Sequence, residues 1–294
     1  MIRYERPHSR SASLARILAR LACAIFLVAL GLHRFGALPT AQFLGIAIGT
    51  ALIAATACLL AVVGLVRLWQ VAAKGGRASL AALLYAAPPL AFAGFFLAAF
   101  LLRPAIHDVS SDTADPPAWV VPPLAVAATT PASLAADHAA QAQAYPELIG
   151  RRYDGGLDRV LSDLRQVAQE NGVVLRKAEE STDGPAQPPA GTPASEAGEP
   201  LPDTVPVPSA RPVLPGDLAA IGQPREALLQ GEWRTPLVGL RYDVVFRLRE
   251  DAETTLVDMR IAPRFGRHGL GLGADFAGRF LRALDAKLLG IAGD

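Results

Sequence analysis

The sequence predicts an N-terminal three-helix transmembrane region followed by a small α+β domain, with helices packed on a mostly antiparallel sheet. Three observations predict it. The first 102 residues hold three long apolar runs. Two alternating segments are joined by the polar turn Glu250-Asp251-Ala252-Glu253. Amphipathic helical segments stand near both ends of the remaining chain. The expected organisation is a transmembrane region over 1–103, an extended linker over 104–146, and a soluble domain over 147–294 with a proline-rich insert over 184–216.

Charge separates the halves. Residues 1–103 carry ten Lys/Arg and one acidic residue, whereas residues 104–294 carry eighteen and 26. The basic half is also the apolar half, so its expected partner is a lipid bilayer rather than a nucleic acid. The two cysteines, Cys23 and Cys58, lie inside apolar runs. That pattern excludes a disulfide framework and a CxxC redox or zinc site.

The expected spans cover about 14–35, 41–66 and 79–102. About 20 apolar residues cross a bilayer as a helix, and the second and third runs reach that length without an internal charge. The first carries Arg16 and Arg20 in its opening turns, where long side chains snorkel toward headgroups. A cleaved signal peptide is its rival, but no small-x-small cleavage pattern follows. Lys and Arg crowd the N-terminal tail and the loop between spans two and three. Only Arg34 and Arg103 fall on the other side. The positive-inside rule then puts the tail in the cytoplasm and everything after Leu102 across the membrane. Pro88 and Pro89 predict a kink in the third span. The spans hold no central ionisable side chain and no repeat, which argues against a pump or carrier.

The segment after the spans has two proline pairs and an alanine-rich stretch, read as extended chain with a short helix over 131–143. The insert over 184–216 has ten prolines in 33 positions, the composition of a solvated spacer. In the domain, Leu157, Val160, Leu161, Leu164, Val167 and Ala168 form one helical face. Asn171-Gly172 stops that helix, and a strand over 173–178 follows. Strands are expected over 227–235, 240–249 and 254–262. In the second of these, Tyr242, Val244, Phe246 and Leu248 share one face, while Asp243, Val245, Arg247 and Arg249 share the other. Such alternation predicts one buried and one wetter face. A last amphipathic helix over 274–289 carries Phe276, Phe280, Leu281, Leu284, Leu288 and Leu289.

Several stretches carry a family resemblance. They are His107-Asp108-Val109-Ser110-Ser111-Asp112, Asp115-Pro116-Pro117-Ala118, Tyr145-Pro146 with Arg151-Arg152-Tyr153, Val257-Asp258-Met259-Arg260, and Arg264-Phe265-Gly266-Arg267. The sequence resembles the bacterial domain-of-unknown-function family 1499, in the form with an N-terminal membrane anchor. The chain departs from the family at Ile261 and Pro263, where serines are usual, and at Gly269 and Gly273, where Asp and Asn are usual. The resemblance implies fold and placement rather than a reaction.

The best chemical constellation is Asp258, Arg260, Arg264 and Arg267, with Arg247 on a neighbouring strand. Arginines offer forked donors for phosphate or carboxylate, and the glycines over 269–273 precede a helix N-terminus that favours anions. These residues are the expected anion or partner contact. The competing reading is a set of cross-strand ion pairs. The five histidines are scattered and show no metal-ligand spacing, and no Gly-x-Ser-x-Gly elbow is present. Neither a catalytic set, a metal nor a cofactor is expected. His107 with Asp108 and Asp112 is the weak alternative for a metal.

The expectation is a protein of the bacterial inner membrane whose periplasmic domain binds or scaffolds an envelope protein, a lipid headgroup or a cell-wall polymer. The alternative is an enzyme or ligand carrier acting on lipid or cell-wall material at the membrane surface.

Overall fold

The computed structural model describes residues 9–71, 75–122, 131–181 and 225–290. The proline-rich insert lies outside them. Three helices lead the chain: α1 (Arg10–Arg34), α2 (Thr40–Val71) and α3 (Gly76–Leu102). Each is long and apolar enough to cross a membrane. The doubtful first run is therefore one continuous helix, capped by the Ser9 hydroxyl, which accepts from the Ala12 backbone. Helix α3 continues through Pro88 and Pro89.

Alanine explains how the three helices pack. Ala15, Ala19 and Ala22 of α1 meet Ala54, Ala57 and Ala61 of α2 and Ala82 and Ala86 of α3, all fully buried. Lipid tails are as apolar as leucine, so small side chains that let backbones approach supply the packing. Leu14, Ile17, Leu52, Leu59 and Leu84 point outward.

The domain is built on a six-stranded antiparallel sheet. Its strands are β1 (Val109–Ser110), β2 (Arg151–Asp154), β3 (Val173–Ser181), β4 (Glu226–Arg234), β5 (Arg241–Asp251) and β6 (Thr254–Pro263). The order is β1-β6-β5-β4-β3, and β2 also pairs with β6, beside β1. Helices α4 (Pro131–Ala144), α5 (Leu157–Glu170) and α6 (Leu272–Leu288) complete the fold. Helices α5 and α6 cover one sheet face. There Leu164, Tyr242, Phe246, Leu248, Met259 and Phe280 make a single core. Apolar residues at every second strand position and every third or fourth helix position produce that layer.

The opposite face departs from expectation. It is not wet: Asp243, Val245 and Arg247 of β5 and Asp258 and Arg260 of β6 are all less than a tenth exposed. Segment 104–122, expected as an extended linker, lies across this face and contributes β1. Its backbone is held by side chains that imitate a strand. Gln230 accepts from the Val121 amide at 2.7 Å and donates to the Val121 carbonyl at 2.8 Å. Gln141 of α4 treats Ser110 in the same way, at 3.0 and 2.6 Å. Asp137 of α4 accepts from the His107 amide. The strap therefore satisfies the backbone groups that burial would otherwise orphan.

The domain sits on the end of the helical bundle. Val238, in the β4–β5 loop, packs with Phe26, Phe43 and Phe92 of the bundle. The Arg34 side chain stands against Gly239. Arg103, just past α3, pairs with Asp275 of α6 at 3.0 Å.

Candidate functional site: a buried ionic face and a cavity at the bundle seam

The predicted arginine cluster forms, but beneath the strap. Register places Arg247 opposite Asp258 and Val245 opposite Arg260. The Arg260 guanidinium donates to both carboxylate oxygens of Asp108, the shortest bond being 2.7 Å, and to the Pro117 carbonyl at 2.9 Å. Its other side faces the Trp119 ring at 5.1 Å, a cation–π contact. Arg247 donates to Asp115, Asp112 and Asp258 at 2.8–3.2 Å. Burial lowers its pKa, yet these carboxylates outweigh burial and raise it above its ordinary value. Ser111 donates to Asp258 and accepts from the Met259 amide.

A second ionic knot closes the sheet near the bundle. The Glu232 carboxylate is 2% exposed and meets Arg176, Arg234 and Arg264 at 2.6–2.8 Å. Arg264 also binds Asp243 through a bidentate contact, which raises its pKa despite burial. Arg176 reaches Glu232 from a β-bulge in β3, and re-aiming a side chain is what a bulge does.

Of the expected contact residues, Arg247, Asp258 and Arg260 are thus brought together, with Arg264 in the neighbouring knot. Arg267 stands apart in the exposed loop before α6. The face is already filled by the chain's own carboxylates. Asp108, Asp112 and Asp115 lie more than 130 residues before Arg247 in the chain. No local pattern couples such distant charges. Asp108 and Asp112 are engaged by arginines, and among the described residues no group of three His, Cys, Asp or Glu could hold a metal.

The glycine-rich turn has a packing role. Gly271 has φ +69°, and a Cβ there would crowd the Tyr145 hydroxyl and the Arg103 side chain. Only glycine adopts that conformation at low cost while two side chains approach so closely. The acidic occupant of the α6 N-terminus is its own Asp275, held by Arg103. His107 is buried without a hydrogen bond on either ring nitrogen. Burial lowers its pKa against the pull of Asp108 and Asp137.

Gly150 is a sharp test of this face. A Cβ there would collide with the Asp258 carboxylate oxygen that Ser111 bonds, while Arg247 and Arg249 hold the other oxygen of the same carboxylate. Gly150→Ala is expected to cost about 1–3 kcal/mol through overpacking. A drop in Tm of several degrees, seen by circular dichroism, checks it. An unchanged Tm would mean that the carboxylate is free to move.

The structure adds a site that the sequence did not reveal. A cavity of about 540 Å³ opens between α3 and α6, within the range of roughly 300–1,000 Å³ usual for ligand pockets. Phe95 and Phe96 of α3 form one wall. Trp233 and Leu237 form a second, and Gly278, Arg279 and Arg282 of α6 a third. Its only signal in the sequence is negative: Asp275, Gly278, Arg279 and Arg282 interrupt the apolar pattern of α6 along one edge.

Three helices long and apolar enough to cross a membrane, followed by an antiparallel sheet with packed helices, define the class: an α+β domain behind three candidate spans. The family model described as "protein of unknown function (DUF1499)" matches residues 108–284. The chain belongs to that family. The match begins at Asp108, the buried partner of Arg260. No curated protein matches the chain, and no solved structure does.

Proposed function

We propose that this is a bacterial inner-membrane protein with a cytoplasmic N-terminus, whose periplasmic domain binds an envelope component at the seam with its own spans. The observation that carries this reading is the seam cavity. It is concave and mainly apolar, and membrane bundle and domain build it jointly. Its ionisable groups are Asp275, engaged by Arg103, and the two arginines of α6. That set recognises a ligand; it pairs no acid with a base and offers no activated nucleophile. The interlocked ionic face supports the same reading, because it makes the domain a rigid holder. The enzyme alternative would need convergent titratable groups in a cleft beside Asp258 and Arg260, and the strap fills that place.

Two measurements test the proposal. Reporters fused after Asp294 should be active outside the cytoplasm only; a cytoplasmic signal would remove the periplasmic assignment. Gly278→Leu should fill the cavity, since a Cβ at Gly278 meets only the flexible end of Arg282. Replacing a helix-interior glycine also favours the helix by up to about 1 kcal/mol, so the variant should fold at least as well as the parent. Small molecules extracted from the purified full-length protein should include one that the variant lacks. Identical extracts would overturn cavity binding.

A further inference from the structure

We propose that the seam cavity holds an acyl chain of an anionic membrane phospholipid, with its phosphate on Arg279 and Arg282. This rests on the binding role proposed above and names the ligand class.

Charge complementarity selects the headgroup. Arg279 and Arg282 are exposed, lie one turn apart on α6, and have no carboxylate partner among the described residues. The other arginines drawn toward the sheet are matched by carboxylates: Arg247, Arg249, Arg260 and Arg264 all are. Asp275, on the same edge of α6, is engaged by Arg103, so it does not cancel the pair. Two adjacent guanidinium forks fit the oxygens of one phosphate.

Position selects the tail. Phe95 and Phe96 belong to a candidate span and lie six or seven residues before its end at Leu102. At helical rise they stand about 10 Å below that end, at the depth of acyl chains rather than of headgroups. Phe95 and Leu237 are more than half exposed, so the cavity opens toward the surrounding lipid. A phospholipid entering from the bilayer would place its chain between α3 and α6 and its phosphate at the level of Arg279 and Arg282 without leaving the membrane surface.

Trp233 lines the cavity and reports occupancy. The test uses the full-length protein in nanodiscs carrying brominated acyl chains, in a Trp69→Phe background, because Trp69 is exposed on α2. Trp119 belongs to the strap, stacked on Arg260 away from the cavity, and supplies a constant background. Brominated phosphatidylglycerol should quench Trp233 at a much lower mole fraction than brominated phosphatidylcholine. The preference should fall by roughly thirty-fold at most when both arginines are neutralised as Arg279→Gln and Arg282→Gln. Gly278→Leu should abolish quenching by either lipid. Equal quenching by the two lipids in the parent overturns the anionic assignment, and so does a preference that survives loss of both arginines. No quenching of Trp233 by either lipid overturns the acyl assignment; if Gly278→Leu still displaces an extracted compound, cavity binding stands with another ligand. Quenching that persists in Gly278→Leu also overturns the proposal.

Discussion

Replacing Asp108 by alanine should destabilise the protein by about 3–5 kcal/mol, the usual cost of leaving one partner of a buried ion pair uncompensated. Asp108 is fully buried, and Arg260 is 8% exposed. The substitution would leave the Arg260 guanidinium with only the Pro117 carbonyl and the Trp119 face. It would also loosen the strap, because Asp108 carries the chain over β6. The paired variant, Asp108→Ala with Arg260→Met, should recover much of the loss, since a buried ion pair and an apolar pair of similar volume often differ little. Denaturant unfolding of the detergent-solubilised protein gives both values. A loss below about 1 kcal/mol for the single variant would show that water reaches Arg260 and that the strap does not seal the face. The recovery in the paired variant separates the ionic contribution from simple loss of packing.

Replacing Glu232 by glutamine should cost about 2–3 kcal/mol at neutral pH and nothing at low pH. Burial alone would push the Glu232 carboxyl up. The hydrogen bond from Arg234 and the charges of Arg264 and Arg176 outweigh it and hold the group below the usual carboxylate range. Those arginines are 23–55% exposed, so solvent screening keeps the expected cost at the low end for a buried charge. A carboxyl whose pKa is lower in the folded state stabilises the fold above its unfolded pKa. That stabilisation is lost as pH falls through the folded value. The parent should therefore lose stability on acidification below the ordinary carboxylate range, while Glu232→Gln should lose less. Tm curves of both proteins should converge at acid pH. Parallel curves across the whole range would mean that the knot contributes by shape and not by charge.

Both predictions concern carboxylates that pair with Arg260 and Arg264, two of the residues expected as a contact surface. The residues that carry the family resemblance turn out to be the two sides of one internal contact. His107 to Asp112 and Asp115 to Ala118 form the strap, and Val257 to Arg260 form the strand beneath it. The stretch Arg151-Arg152-Tyr153 docks β2 on α6, where Tyr153 and Arg151 both donate to Asp285 at 2.7 and 3.2 Å. A motif made of charged residues can be an architectural signature when burial makes unpaired charges costly.

Local pattern alone determined much of this protein. Apolar runs of sufficient length specify three helices long and apolar enough to cross a membrane, since a bilayer accepts only backbone that bonds within its own helix. Strict alternation in β5 and the three-four spacing of α5 and α6 specify the strands, the helices and the face each one buries. Those signals are local, because each depends on residues within a turn or a strand. The tertiary structure decided the rest. Whether Arg260 meets water, a ligand or Asp108 depends on where a segment 152 residues away comes to lie. Short strands such as β1 carry no period that a sequence reading can detect. The seam cavity exists only because α3 and α6, far apart in the chain, leave a gap that glycine at position 278 does not fill. Contacts at long sequence separation are set by the packing of whole layers, and that packing turned the expected contact face into a sealed ionic interior and opened a cavity beside the third candidate span.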